Sequence, residues 1–239
     1  MNIILCGYNW AGCAALKKII PRSSSLFVFT KENPYYINSL KNYCIKLGVP
    51  YSLDKIDKKL LPFKPDLIVS IYYPYIIKED VIKYCDYKII NLHPSLLPKY
   101  RGCSSVTWSI VNGEKYYGFT YHYINKEIDK GNIIIQKKLD LEEWDTQETA
   151  YTRVMYYALD SFNQALECVI NNYPGVKQTG KSSYYPRGCP LNGEIDDSWS
   201  LVEIERFIRA MTYPPYSSAT YKRKAVKSIK EYIELINKD

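Results

Sequence analysis

Short apolar segments alternate with segments of helical periodicity in the first part of the chain, and this alternation restricts the fold more than any other feature. Trp10–Ile20 and Ile37–Leu47 show the apolar spacing of helices, and Gly48 stops the second of them. The apolar runs that predict strands are, in chain order, Asn2–Cys6, Leu26–Thr30, Leu67–Ser70 and Lys88–Leu92. Strands alternating with helices predict an α/β fold, a Rossmann-like, mostly parallel sheet flanked by helices, with a ligand crevice at the carboxyl ends of the strands.

The pattern changes after Gly113, where two β-rich segments follow each other without a helix between them. These segments, Tyr116–Ile124 and Gly131–Lys138, are expected to pair antiparallel or to lie at the edge of the sheet. A long helix is predicted after Asp145, and its apolar stripe belongs to the core.

The last part of the chain is predicted to be a small appendage. A turn-rich segment beginning near Pro174 precedes a helix at Trp199–Met211 and then short, aromatic, basic strands. We place the boundary at Gly180, so that residues 1–180 form the main domain and residues 181–239 form the appendage. So small a segment buries little core by itself, and it is expected to pack on the main domain or on a second subunit.

Composition excludes several classes of protein. The 239 residues are 46% hydrophobic and 24% charged. Because no run of about 18 uncharged apolar residues occurs, the chain is expected to be neither disordered nor membrane-spanning. No basic residue precedes the first apolar stretch, which argues against a secretory signal and favours the cytoplasm. The seven cysteines are scattered without a CxxC pair, so neither a disulfide framework nor a metal site is expected.

The formal charge of +7 is weak support for a nucleic-acid partner. Lysine accounts for 25 of the 32 basic residues, in a sequence also rich in Ile, Asn and Tyr. A biased base composition of the source genome would produce the same enrichment. Nucleic acid is therefore not expected as the partner of this chain.

The segment Ile90–Gly102, INLHPSLLPKYRG, carries the densest chemical information. A predicted strand ends at Asn91 and His93, and strand ends are where this architecture places catalysis. The two residues are two positions apart, so they point to the same side of an extended chain. A side-chain amide beside an imidazole can stabilise an oxyanion and move a proton. Considered alone, such a pair is more often a structural turn.

A second segment, Glu127–Ile134 with the sequence EIDKGNII, places Asp129 in a tight link before Gly131. That link could return the carboxylate to the same crevice, where it would raise the pKa of the His93 imidazole and orient the ring. In isolation Asp129 would be assigned to the turn alone. Together with Asn91 and His93, it favours a site for proton handling.

These segments resemble the folate-dependent formyltransferases. The resemblance covers residues 67–136 closely and the first 170 residues more loosely, and it implies the formyltransferase fold. The matching residues, in the order and spacing of the family, are Asn91–Pro98, Tyr100–Gly102, Trp108, Gly118, His122, Asp129–Gly131, Ile133 and Ile134.

The resemblance implies a catalytic trio of Asn91, His93 and Asp129. A neutral amine would attack the formyl carbon of 10-formyltetrahydrofolate, and Asn91, with protonated His93 as an alternative donor, would stabilise the oxyanion. His93 with Asp129 would move the proton of the amine to the leaving folate nitrogen. No metal is needed for this chemistry.

The resemblance also implies where the folate binds, against Ser70–Ile76 and the chain around Asp129. Packing at a strand–helix junction is an equally good interpretation of the tyrosines in this segment. His122 could instead be structural, or a neighbour of the trio. The N-terminal GYNWAG is not a GxGxxG fingerprint, which disfavours a dehydrogenase. The candidate folate-binding residues are Ser70, Tyr73, Tyr75, Ile76, His122 and Ile128.

The C-terminal tail, residues 181–239, helps to decide which amine is the formyl acceptor. Tyr184–Asp196 and Arg209–Tyr221 resemble the tail of sugar N-formyltransferases, which contributes a β-hairpin used in dimerisation. The tail is short for a methionyl-tRNA formyltransferase and long for a glycinamide ribonucleotide formyltransferase. We therefore expect a homodimer that formylates a dTDP-linked amino-dideoxyhexose, specifically dTDP-4-amino-4,6-dideoxyglucose, for surface polysaccharide (O-antigen) synthesis. The candidate substrate-binding residues are Lys99, Tyr100, Arg101, Gly102, Arg209, Tyr213, Tyr216 and Lys222.

Two other kinds of activity stay open from the sequence. One is a catalytically dead formyltransferase fold that binds a nucleotide or RNA, and the other is hydrolysis of the formyl group. Loss of function in a His93→Ala variant would argue against the first. Release of folate without an amine acceptor would reveal the second.

Overall fold

The structure is a computed structural model that describes residues 1–237. Its strands are β1 (Asn2–Gly7), β2 (Ser25–Phe29), β3 (Tyr51–Ser52), β4 (Leu67–Ile71), β5 (Ile89–His93), β6 (Arg101–Gly102), β7 (Tyr116–Tyr123), β8 (Ile133–Asp140), β9 (Tyr184–Tyr185), β10 (Ala219–Tyr221) and β11 (Lys224–Val226). Its α-helices are α1 (Asn9–Ile19), α2 (Leu40–Leu47), α3 (Glu79–Tyr84), α4 (Ser105–Val111), α5 (Gln147–Asp160), α6 (Phe162–Ile170), α7 (Leu201–Ala210) and α8 (Ile229–Ile236).

A seven-stranded sheet has the order β3-β2-β1-β4-β5-β7-β8. Strands β1 to β5 pair in parallel, and β7 pairs antiparallel with β5. The mostly parallel α/β sheet predicted from the sequence is therefore confirmed. Every residue of β4 is buried, which explains its unbroken apolar run, because both faces of a parallel sheet are covered. Strands on both sides of β1 end at the same edge, where such a sheet binds its ligand.

By their internal contacts the residues form two units. The first contains residues 1–93, 120–136 and 157–180. Its core includes Ile4, Phe29 and Ile68. Helix α2 begins later than predicted, because the Ser39 hydroxyl caps it by accepting a hydrogen bond from the amide of Asn42 at 3.2 Å.

The long helix predicted after Asp145 is divided into α5 and α6 at Ser161. The Ser161 hydroxyl donates a hydrogen bond to the carbonyl of Tyr157 at 2.9 Å. A serine that bonds back to the preceding turn bends a helix, which accounts for the division.

The second unit contains residues 94–119, 137–156 and the chain from Lys181 onward. The tail therefore shares a unit with two earlier segments, as its small size requires. The division at Gly180 into a main domain and an appendage stays a prediction. Around α7, the buried residues of the tail are Ile195, Ile204, Phe207, Ile208, Met211, Ala219, Tyr221, Val226 and Tyr232.

The tail contains the helix and the short strands that the sequence predicts, and the strands form the β10–β11 hairpin. Helix α8 was missed, although Ser228 and Glu231 signal its start, and the Ser228 hydroxyl accepts a hydrogen bond from the Glu231 amide. No helix within residues 1–237 combines the length and the hydropathy needed to cross a membrane.

The hairpin turn gives a stability prediction. Lys222 and Arg223 occupy it with φ of 45° and 66°, the left-handed geometry that favours Asn and Gly in two-residue turns. Because a side chain is costly in this region, Arg223→Gly is expected to stabilise the protein by about 1 kcal/mol. Thermal unfolding should then show a midpoint raised by about 2–4 °C. Arg223→Ala is the control and should give no such gain; a lower midpoint for Arg223→Gly would contradict the prediction.

Candidate active site

The pairing of β5 with β7 sets His122 directly opposite Asn91. Side chains opposite each other on antiparallel strands are close neighbours, with Cβ atoms about 4.5–5.5 Å apart. Accordingly, Asn91 Nδ2 lies 3.2 Å from His122 Nε2. His93 is the last residue of β5 and is buried, so the predicted strand end carries both residues of the Asn-x-His pair.

The surroundings of His122 define the orientation of Asn91. His122 Nδ1 lies 2.8 Å from the carbonyl oxygen of Tyr123, which can only accept, so Nδ1 carries the proton. In the tautomer with the proton on Nδ1, Nε2 accepts a hydrogen bond from the amide nitrogen of Asn91. This bond holds the Asn91 amide in one orientation and leaves its second hydrogen to donate elsewhere.

Asp129 faces both imidazole rings. One carboxylate oxygen lies 3.6 Å from Nδ1 of His93, and the other lies 3.5 Å from Nε2 of His122. The side chains of His93 and Asp129 are only 7% and 12% exposed, so water screens their interaction weakly. The carboxylate therefore favours a positive charge on His93 when that ring takes up a proton. Both distances exceed those of ordinary hydrogen bonds, and catalytic contacts commonly shorten when substrate binds.

The loop that carries Asp129 is held by contacts far away in the sequence. Asp129 has a left-handed backbone with φ of 54°. Gly131 packs so closely that a Cβ at this position would overlap the carbonyl of Tyr123. Gln178 Nε2 donates to the carbonyl oxygens of Asp129 and Gly131 at 2.7 and 2.8 Å. No local pattern around Gln178 signals this role, and the sequence analysis missed it.

Removal of the Gln178 amide should loosen this loop. Gln178→Ala removes two hydrogen bonds to backbone carbonyls, and we expect a loss of about 1–3 kcal/mol in the free energy of unfolding. Hydrogen exchange at residues 127–131 should speed up. Gln164→Ala, at an exposed position of α6, is the matched control. Unchanged exchange and stability in Gln178→Ala would show that the loop holds Asp129 without this side chain.

The residues predicted to bind folate differ in accessibility. Ser70 is buried on β4 and is the register partner of Asn91. Ile76 and Ile128 are 76% and 45% exposed and offer apolar surface to a planar ring. His122 is buried and hydrogen-bonded to Asn91, as the interpretation of a neighbour of the trio predicts.

The two tyrosines of the predicted folate segment pack against each other, with ring centroids 5.4 Å apart. The Tyr73 hydroxyl accepts a hydrogen bond from the amide of Ile56 at 2.9 Å, and burial raises the pKa of Tyr73. Tyr75 has the Lys55 ammonium 5.1 Å from its ring centre. These contacts fit the packing interpretation, and folate binding by either tyrosine stays a prediction.

The predicted acceptor residues that follow His93 in the chain belong to the second unit. Lys99 Nζ and the Tyr100 hydroxyl both donate to Glu114 Oε1, at 3.0 and 2.8 Å. Burial is the largest cause that raises the pKa of Tyr100. In the part of the chain that the structure describes, Arg101 Nε is buried and has no hydrogen-bond partner. Gly102 has φ of 91°.

The four candidates of the tail make contacts elsewhere in the second unit. Arg209 donates to Glu205 at 2.6 Å and to the carbonyl of Asp145 at 2.7 Å, so its guanidinium is already bonded. Each of the other three contacts an aromatic ring. Tyr213 packs on Tyr151 and Tyr216, and the Lys222 ammonium lies 5.3 Å from the ring centre of Tyr221. Their roles in substrate binding stay predictions.

A Rossmann-like sheet whose fifth strand ends in an amide and an imidazole, with a carboxylate beside them, is the arrangement of a formyltransferase. Within residues 1–237, no three His, Cys, Asp or Glu side chains are grouped so as to hold a metal ion. The chain belongs to the formyl transferase family, whose model matches residues 12–166. The resemblance seen in the motifs is therefore confirmed at the level of the family.

Individual relatives add detail. The chain is 41% identical over 160 residues to the GDP-perosamine N-formyltransferase of Brucella melitensis, a match that covers 67% of this chain and 62% of that protein. The chain thus spans less than two thirds of the curated relative. An N-formyltransferase from Helicobacter canadensis, solved with folinic acid and dTDP-3-aminofucose, is 25% identical with a TM-score of 0.83, covering 95% of this chain and 86% of that one. A sugar 3N-formyl transferase, WlaRD, solved with dTDP and 5-N-formyl-THF, is 25% identical with a TM-score of 0.82, covering 95% of this chain and 85% of that one.

Proposed function

We propose that this protein transfers the formyl group of 10-formyltetrahydrofolate to the amino group of a nucleotide-linked amino sugar. One observation carries the proposal: the buried His93 and His122 lie together with the partly buried Asn91 and Asp129 at the carboxyl end of β5. Relatives that match the family and the fold are named for the formylation of amino sugars, which supports this class of acceptor.

Each member of the trio has one task in the transfer. The second amide hydrogen of Asn91 donates to the formyl oxygen as negative charge develops on it. His93 takes the proton from the attacking amine and gives it to the nitrogen of the leaving folate. Asp129 stabilises His93 while the ring is charged. The new bond joins the sugar nitrogen to the formyl carbon, and the bond from that carbon to the folate nitrogen breaks.

The specific acceptor that we propose is dTDP-4-amino-4,6-dideoxyglucose. Two solved relatives contain dTDP or a dTDP-sugar, which supports the thymidine nucleotide. GDP-perosamine is the second candidate, because the curated relative that is 41% identical carries that name.

The test is mass spectrometry of the products after incubation with 10-formyltetrahydrofolate and a panel of acceptors. The panel contains dTDP-4-amino and dTDP-3-amino dideoxyhexoses, GDP-perosamine, glycinamide ribonucleotide and methionyl-tRNA. A formyl mass gain on one sugar nucleotide supports the proposal and selects the acceptor. Formylation of the ribonucleotide or the tRNA alone overturns the assignment to amino sugars. Absence of a formyl mass gain on every acceptor favours a catalytically dead formyltransferase fold. Release of folate without any acceptor favours hydrolysis of the formyl group.

The proposal also includes a cytoplasmic enzyme of surface polysaccharide (O-antigen) synthesis that forms a homodimer through its C-terminal hairpin. The β10–β11 hairpin is the segment proposed to mediate the dimer. Light scattering on the purified protein should give twice the mass of the chain. A monomer at micromolar concentration would contradict this part of the proposal.

A further inference from the structure

The loop from Pro98 to Ser104 follows His93 in the chain and has an unusual backbone. Tyr100 and Ser104 have φ of 59° and 55°, and Gly102 between them has φ of 91°. Residues with side chains adopt this left-handed region only where their surroundings hold them there. Such a loop therefore depends on contacts with other parts of the chain.

Much of the support comes from β9 in the tail, which pairs in parallel with β6. The amides of Arg101 and Cys103 donate to the carbonyls of Ser183 and Tyr185 at 3.0 and 2.9 Å. The amide of Tyr100 donates to the Ser183 hydroxyl at 2.8 Å. The backbones approach so closely that a Cβ on residue 102 would overlap the carbonyl of Tyr185, so glycine is required there.

The ring of Tyr185 also packs against a side chain of the loop. It stacks on Tyr100 with centroids 5.6 Å apart and planes at 8°, and on Trp108 with centroids 4.4 Å apart and planes at 23°. Asn112 Nδ2 donates to the hydroxyls of both tyrosines, at 3.1 and 3.0 Å. Tyr185 thus joins the loop, helix α4 and the tail in a single stack.

Arg101 differs from its neighbours Lys99 and Tyr100 in its hydrogen bonding. Lys99 and Tyr100 are bonded to Glu114, so their polar atoms are committed within the second unit. Arg101 Nε has no hydrogen-bond partner among the residues described. Arg101 as a whole is partly exposed, and a guanidinium suits a phosphate oxygen, which a nucleotide-linked sugar would supply.

We propose that Tyr185 is a positioning residue for the acceptor: its ring, between Tyr100 and Trp108, holds the loop that carries Arg101 in the conformation that binds the diphosphate of the nucleotide sugar. This inference rests on the proposed function. Tyr185 touches neither reactant and acts through the loop.

The experiment compares Tyr185→Leu and Tyr185→Phe with Tyr156→Leu. Tyr156 lies on α5 in the second unit, is 67% exposed, and serves as the matched control. Because small displacements of a binding group are costly, Tyr185→Leu should raise KM for the nucleotide sugar at least about tenfold. KM for 10-formyltetrahydrofolate should stay within about twofold of the wild type. Tyr185→Phe keeps the stack and Tyr156→Leu leaves it intact, so both should stay close to the wild type.

Hydrogen exchange provides a measurement that does not depend on activity. Amides of residues 99–104 should exchange faster in Tyr185→Leu than in Tyr156→Leu, while exchange in the loop around Asp129 is unchanged. Tyr185→Leu with an unaltered KM for the acceptor, or with equal changes in both KM values, would overturn the inference. A wild-type protein that formylates no sugar nucleotide would instead overturn the proposed function, so the two failures are distinguishable.

Discussion

Replacement of His93 by alanine is expected to lower kcat for formyl transfer by about 10²–10⁴-fold. His93 is one of the two imidazoles beside Asp129, and in the proposed mechanism it carries the proton between the amine and the leaving nitrogen. The measurement is steady-state formylation of the acceptor that the panel identifies. The far-UV circular dichroism spectrum establishes that the variant is folded, and calorimetry establishes that it still binds the folate.

The His93→Ala result separates the enzyme from a dead fold. His93→Gln, which keeps a polar side chain but cannot move the proton, should be almost as impaired as His93→Ala. Formyl transfer at the wild-type rate in both variants would remove His93 from the mechanism. A wild type without measurable catalysis, with a nucleotide-binding function that His93→Ala leaves unchanged, would support a binding module instead.

Asn91→Ala is expected to lower turnover by about 10²–10³-fold while leaving folate binding largely intact. The amide is held by His122, so its free hydrogen is already aimed when the oxyanion forms, and no reorganisation is needed at that moment. A preorganised donor acts mainly on the transition state, so kcat should fall and KM for the folate should change little. Single-turnover kinetics at saturating substrates would measure the chemical step directly.

The control for Asn91→Ala is Asn163→Ala, at an exposed position of α6. This change removes the same atoms from the surface and should leave turnover unchanged. If Asn91→Ala also turns over at the wild-type rate, Asn91 is not an oxyanion donor. In that case His93, in its protonated form, becomes the remaining donor of the trio.

Much of the parallel sheet could be predicted from local sequence. The apolar runs at Asn2–Cys6 and Leu67–Ser70 correspond to β1 and β4, because strands buried on both faces require continuous apolar sequence. The prediction that Asn91 and His93 share one side followed from the alternation of an extended chain, and both lie on β5. Helix α8 was equally predictable from its Ser228 cap and from Glu231 three residues later.

Other features depended on contacts that no local pattern contains. His122 lies opposite Asn91, 31 positions away in the chain, because of the register between β5 and β7. Gln178 secures the Asp129 loop across 49 residues, and Ser183 bonds Tyr100 across 83. The resemblance to known formyltransferases named the trio without showing what holds it in place.

The sequence by itself determined the strand segments and the order of the motifs, since each depends on residues close together in the chain, and the trio was proposed from the resemblance of those motifs to the formyltransferases. The tertiary structure alone decided the hydrogen bonding of His122, the support of the Asp129 loop and the stack that locks Arg101's loop. The physical reason is that local propensity and periodicity reflect interactions over a few residues. Which distant side chains meet is decided by strand register and packing of the whole chain.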